Sequence, residues 1–471
     1  MDLLKNPFHI LRATTRDDKI KIIDLAEERT LLSEDDECME AQSTLARPQN
    51  RISAEIAWLP GVNPEHVDSL LKQLDSPYQN LLNITDLPPL ARANALTAGL
   101  SRLSNMASIN LVEWILAISH TYERIDPEEV RETLNEERNI SGFPQITDIS
   151  VITAEIQNQR RYYSQTLSSV INNLSVTERA RILTLTLETV IGNSNNRCPI
   201  LIDDLIQSYE VEVGDDLEKK QKIIEAQDEK LRVMADAKNP DTELKPIVNQ
   251  LIQTVKEWDT IAQPIQLSKR SRGERHTASF KIAELLRILA ADLLGEYRKF
   301  DFSLKILNML KEVFAEVPEL AEPITADLKF LEEKIPIARG VEKFEEIKEQ
   351  VEKLKEAADA KKPDYTLTPM VNQLVQTVKT WDASAQPFEA NDSVALLVRS
   401  IALHLWNEHQ KLDFAIQITN ILLEVFARVP EVTNRLAEDR KTLQKQAIIA
   451  KELEKFEEIK EQVEKLKEAA D

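Results

Sequence analysis

Eighteen residues, EKFEEIKEQVEKLKEAAD, occur twice without a change, from Glu342 to Asp359 and from Glu454 to Asp471. Rich in Glu, Lys, Leu and Ala, with apolar residues three and four apart, the segment predicts an amphipathic helix and little else. Val341, Phe344, Ile347, Val351, Leu354 and Ala358 form the apolar stripe of the first copy, and Glu349 and Lys353 pair at i, i+4 on its wet side. Such a stripe needs cover. The run is too short for the sustained heptads of a coiled coil, so neighbouring helices of the same unit are the expected cover.

The duplicated helix belongs to a longer repeat. PIVNQLIQTVKEWDTIAQP, ending at Pro264, matches PMVNQLVQTVKTWDASAQP, ending at Pro387, an offset of 387 − 264 = 123. KFDFSLKILNMLKEVFAEVPE matches KLDFAIQITNILLEVFARVPE with Phe314 against Phe426, an offset of 426 − 314 = 112. The difference of 11 residues is an insertion in the first copy, near SKRSRGERH at 268–276. Trp258 and Trp381 stand at matching positions and are expected to anchor helices within their units. The expected organisation is an N-terminal module at 1–60, a helical middle domain at 61–216, a first repeat at 217–338 and a second at 339–450. Residues 451–471 then form either a capping helix or the start of a third repeat, which leaves a longer repeat protein open.

Composition sets the class around this repeat. With only 8 glycines in 471 residues and 5% aromatics beside 30% charged residues, the chain lacks the turn and strand chemistry of a β protein, so the fold class is all-α. A formal net charge of −21 repels phosphate backbones and disfavours nucleic acid as a partner. Cys38 and Cys198 are the only cysteines, too few for a disulfide framework and without metal-ligand spacing, which fits a reducing compartment. The N-terminus MDLLKNPFHILRATTRDDK lacks a leader pattern, and no apolar run approaches about twenty residues. A cytoplasmic chain without a membrane segment is therefore expected.

Residues 394–432, VALLVRSIALHLWNEHQKLDFAIQITNILLEVFARVPEV, read as two antiparallel helices that turn near Leu412 and Asp413 and stop at Pro430. Small and large apolar residues alternate along the first helix, and Ala415 comes early in the second. The pattern, with its counterpart at RILAADLLGEYRKFDFSLKILNMLKEVFAEVPEL, resembles the tetratricopeptide family. Gly295 and Tyr297 fall near that family's Leu-Gly and Tyr positions, whereas the second copy has Asn407 and His409 there. The resemblance covers two helix pairs, separated by long helices that the family's 34-residue arrays lack. It implies a concave surface that binds peptides or other proteins.

Residues 6–59 open with Phe8, Ile10 and Leu11, continue through a helix carrying Ile20, Ile23 and Leu25 and a second carrying Met39 and Leu45, and enter a third at Pro48 with Ile52, Ile56 and Trp58. With Arg47, Pro48 and Arg51 at the last turn, the pattern resembles a J-domain. The departures are specific. Where the family has His-Pro-Asp, this chain has Leu31, Leu32, Ser33 and Glu34. The preceding helix, basic in the family, has Arg16, Lys19, Lys21 and Arg29 outweighed by Asp17, Asp18, Asp24, Glu27 and Glu28. The resemblance implies a degenerate J-like module kept for packing or docking. Together the two resemblances imply a non-catalytic helical scaffold that binds partner proteins, or alternatively a J-type co-chaperone with altered or lost coupling to its ATPase. Self-association through the terminal helix is left open.

Between the J-like module and the repeats, SVTERARILTLTLETVI opens on a capping-box pattern at Ser175 and Glu178, and ERNISGFPQ and GNSNNRCP mark turns.

No motif names a reaction: phosphate loops, nucleophile elbows and paired Cys or Ser with His are missing from the pattern, and no cofactor is expected. HLWNEH, from His404 to His409, spaces two imidazoles five residues apart. On one helix they stand roughly 140° apart and do not converge, so no metal site is expected, and His404 reads as a helix-packing residue and His409 as a turn residue. SEDDECME, from Ser33 to Glu40, lacks the central Gly of a calcium loop and reads as an acidic helix N-terminus. In SKRSRGERH, Lys269, Arg270, Arg272 and Arg275 form the one basic cluster, either a solvated loop or a docking site for phosphate or an acidic partner. It has no aromatic residue to stack on a base, which weighs against RNA.

Overall fold

Twenty α-helices and one 3-10 turn, Leu3–Lys5, make up the regular structure of the computed structural model, and no strand occurs among the described residues. These are residues 1–31, 37–74, 79–102, 110–193, 198–383 and 385–468. No described helix is long and apolar enough to cross a membrane. The chain divides into two contact units, Met1–Leu289 and Ala290–Asp471.

In the first unit the helices are α1 Pro7–Leu11, α2 Lys19–Thr30, α3 Glu37–Leu45, α4 Pro48–Ile56, α5 Pro64–Gln73, α6 Gln79–Asn83 and α7 Pro89–Ser101. They continue with α8 Leu111–Tyr122, α9 Pro127–Ser141, α10 Ile149–Asn172, α11 Val176–Asn193, α12 Ile200–Asp236 and α13 Asp241–Ser271. The next helix, α14 Thr277–Gly295, carries the division between the units. Local rules set the starts. Pro7, Pro48, Pro64, Pro89 and Pro127 each occupy the first helical turn, where a missing N–H costs nothing. The capping box is formed in both directions: the Glu178 amide donates to Ser175 Oγ, and the Ser175 amide donates to the Glu178 carboxylate.

The helix α7 is buried on nearly all sides, and at Gly99 an added Cβ would lie 2.6 Å from Leu81 Cδ1. Only a residue without a side chain lets α6 and the Trp114 ring come this close. Asn94 on the same helix donates from Nδ2 to the carbonyls of Ile56 and Trp58, at 2.8 and 2.7 Å, and accepts from Gln159 and Tyr163. A second buried polar knot joins Arg51 to Glu55 at 2.7 Å and Arg138 to the other oxygen of Glu55 at 2.8 Å. Both knots tie α4 to the helices further along the chain. One core runs from Leu3 to Leu267, so residues 1–60 share their interior with the rest of the unit.

In the second unit, α15 Phe300–Val313 is followed by α16 Pro318–Asp359, α17 Asp364–Lys379, α18 Phe388–Asn407, α19 Leu412–Val425 and α20 Pro430–Glu468. Its core is built from the stripe of α16 (Ile347, Val351, Leu354), Leu367, Val371 and Leu374 of α17, Val394, Val398 and Ile401 of α18, and Ile418 and Leu422 of α19. Pro430 begins α20 instead of stopping α19, which ends at Val425, and the preceding turn spans residues 408–411. The expected boundaries at 216/217, 338/339 and 450/451 fall inside α12, α16 and α20, each an unbroken helix. A duplicated sequence has no privileged register, so its period does not mark where a helix breaks.

Candidate functional site

The basic cluster straddles a helix end: residues 268–271 close α13, and residues 272–276 form the loop before α14. The first copy's extra 11 residues let α13 run on through Pro264 to Ser271, whereas the matching α17 ends at Lys379. Lys269 and Arg270 thus lie on the last turn of α13, favourable for cations at the negative end of the helix dipole, and the chain reverses at Gly273 with φ at 72°. Lys269 pairs with Glu210 on α12 at 2.7 Å, Arg272 donates back to Ser268 Oγ at 3.2 Å, and Arg275 lies over the Phe280 ring at 5.3 Å. The expected loop is present at residues 272–276, with Arg272 and Arg275 on it and exposed, while Lys269 and Arg270 belong to the end of α13.

Of the acidic stretch, Leu32–Asp36 lies outside the described residues, and with it most of the segment aligned with His-Pro-Asp. Glu37 and Glu40 do occupy the first turn of α3, as an acidic helix start requires. Of the cysteines, Cys198 is buried and its thiol is pushed up to about 12 by burial and then by Asp203, so it is a packing residue.

His404 and His409 require a correction. They converge. Their Nε2 atoms are 3.3 Å apart, and Asp359 Oδ1 lies 2.7 Å from the first and 2.9 Å from the second. The angular argument placed both on one helix, but α18 ends at Asn407. Gln410 then takes a left-handed conformation, φ 55°, with its amide donating to Trp406 O and that of Lys411 to Leu405 O. His409 stands in the turn before this reversal, outside α18, so the spacing of a continuous helix does not govern where its ring lies. Asp359 closes α16, where left-handed Lys361 makes the same kind of cap with Ala358 and Lys362 reaches Ala357. The two imidazoles hold the Asp359 carboxyl below its ordinary range by hydrogen bonding. In the first copy the aligned positions are Asp236, Asp292 and Tyr297, so the imidazole pair occurs once.

The third feature is the stripe of the duplicated helix. In α16, Ile347, Val351 and Leu354 are at most 5% exposed. In α20 the same side chains, Ile459, Val463 and Leu466, are 60, 44 and 70% exposed, and Phe456 is 64% exposed. The early part of α20 packs through Val432, Leu436 and Leu443, and from Ile448 to Leu466 every side chain is exposed.

No protein-family model, curated protein or solved structure matches the chain.

Proposed function

We infer that the chain is a non-catalytic helical scaffold that takes a partner protein on the bare face of α20. One observation carries the reading: the same residues that are covered by α17 and α18 when they stand in α16 are, in α20, covered by none of the described residues. Leaving Phe456, Ile459, Val463 and Leu466 wet forgoes about 1.5 to 3 kcal/mol each, which is what a binding face holds in reserve. The covered copy indicates the chemistry of the occupant. It is a pair of helices with a Leu, Val and Ile stripe, like that of Leu367, Val371, Val394 and Val398.

Charge argues for a different protein over a second copy. With Phe456 and Val463 at heptad position a, and Ile459 and Leu466 at d, Lys455 and Lys460 flank the stripe at g and e. Two copies of this helix would set these lysines against each other in a parallel pair, and like positions against like in an antiparallel one. An acidic rim on the partner relieves this. The tetratricopeptide-like pairs and the J-like N-terminal segment supply the rest of the scaffold in this reading, supported by the quoted residue patterns and by a sequence that lacks His-Pro-Asp.

A photo-activated cross-linker at position 459 of the full-length chain, in its own cells, tests this against the same probe at position 347. Position 459 is expected to capture one discrete partner, identified by mass spectrometry, and to lose it when Val463→Glu is added, while 347 links only within the chain. Adducts to a second copy alone, or none at 459, overturn the reading.

A further inference from the structure

We propose that Asp359, His404 and His409 form a binding site for one divalent transition ion of the zinc class. The site joins the end of α16 to the turn between α18 and α19. It is independent of the scaffold reading and uses no residue of the α20 face.

The geometry carries the proposal. Zinc bound at 2.0 to 2.1 Å by tetrahedral ligands sets those ligands about 3.3 Å apart along each edge. The two Nε2 atoms are already 3.3 Å apart. Asp359 Oδ1, at 2.7 and 2.9 Å from them, has to back away by about half an ångström to complete a face of the tetrahedron. That movement is easy, because the Asp359 side chain is 50% exposed while the imidazoles, at 22 and 13%, are held by the protein. The rings stand edge to face at 70° with centroids 5.0 Å apart, and the three ligand atoms all lie within 4.8 Å of one another.

Chemistry sets the class of ion. Two imidazole nitrogens and one carboxylate oxygen are a borderline donor set that favours zinc and its first-row neighbours over calcium or magnesium, which take oxygen. Without a cation, the three atoms share hydrogen bonds whose direction follows the ring tautomers. With each neutral ring carrying its proton on Nδ1, both Nε2 lone pairs and the Asp359 carboxylate are free to bond one ion, which leaves a coordination position toward solvent. Because the ligands come from α16, from α18 and from the turn after it, binding staples three segments of the second unit and stabilises that unit by linkage.

The first copy provides a gentle control. Its aligned positions hold Asp292 and Tyr297, so the double variant His404→Asp/His409→Tyr installs residues that the chain already uses at this register. Full-length protein is stripped with EDTA, dialysed and titrated with Zn²⁺ by calorimetry, with Co²⁺ absorption as a report of nitrogen coordination and circular dichroism as a check on folding. The wild-type chain is expected to take one Zn²⁺ and to show a higher unfolding midpoint with the ion than with chelator. The double variant and Asp359→Asn are each expected to bind at least about tenfold more weakly and to lose the midpoint shift. Equal affinity in a folded variant places the ion elsewhere and overturns the proposal. So does wild-type protein with no saturable binding, which leaves the three groups as a hydrogen-bonded helix cap.

Discussion

Trp258 and Trp381 stand at matching positions but have different partners. Both are buried, at 0 and 5% exposure. Trp381 Nε1 donates to Asn391 Oδ1 at 2.8 Å, whereas Trp258 Nε1 has no protein acceptor and its ring stacks on His276, with centroids 5.9 Å apart. Truncation of either to Ala should cost about 3 to 5 kcal/mol. The Phe variants should separate them: Trp381→Phe strands the buried Asn391 oxygen and should cost about 1 to 2 kcal/mol more than Trp258→Phe. Urea unfolding of both checks this, and equal losses would mean that the hydrogen bond contributes nothing. His276 adds a pH dependence. Burial first, then Lys269, pushes it down to about 4 from an ordinary 6.5, against the opposing pull of Glu210. Protonation therefore favours the unfolded chain. The stabilisation is whole above about pH 6.5 and is lost as pH falls toward 4, by about 2 kcal/mol between 7.5 and 5. His276→Phe should flatten that part of the unfolding curve, and a slope as steep as wild type would assign it to other groups.

At the level of helices, the identical segments in α16 and α20 separate what a sequence dictates from what its surroundings add. The stripe makes the helix in both places, so the all-α class, the amphipathic faces and the Ser175 capping box were legible from spacing alone. Burial was not, because it depends on the neighbouring helices: α17 and α18 cover Ile347, and the described residues after Ile459 complete only the end of the same helix. The convergence of His404 and His409 was hidden for a related reason. Helix ends are ordinarily marked by Gly at the left-handed position, but here Lys238, Arg298, Lys361 and Gln410 occupy it, at φ between 52 and 55°. These are two repeat-matched pairs, 361 − 238 = 123 and 410 − 298 = 112, the same offsets as the surrounding sequence. His409 does lie in the turn expected of it, after the end of α18 at Asn407, and it was the angle for two rings on one helix that did not apply. Pro264 lies inside α13 while the matching Pro387 caps the start of α18, so Lys269 and Arg270 fall on a helix end and only Arg272 and Arg275 on the loop that the insertion suggested.

Across the whole chain, an overall charge of −21 and a bare apolar face oppose each other, and the terminal segment lets them be told apart. Residues 454–471 contain seven acidic and four basic side chains, a net of −3, so a chain without them keeps (−21) − (−3) = −18. Its long-range repulsion is nearly unchanged. What it loses is Phe456, Ile459, Val463 and Leu466, and any change in association then reports on the face and not on the charge. Lys455 and Lys460 oppose self-pairing at low salt, but across distances of a Debye length, roughly 8 Å near 0.15 M and 3 Å at 1 M, that opposition weakens as salt is added. Light scattering on the full chain is expected to give monomer mass at low salt and a rising mass at high salt. The chain lacking 454–471 should remain monomeric at both, with helicity per residue by circular dichroism little altered. A full-length chain with the same mass and solubility as the deletion at every salt concentration would mean that the stripe attracts nothing, and that the last turns of α20 are a solvated tail.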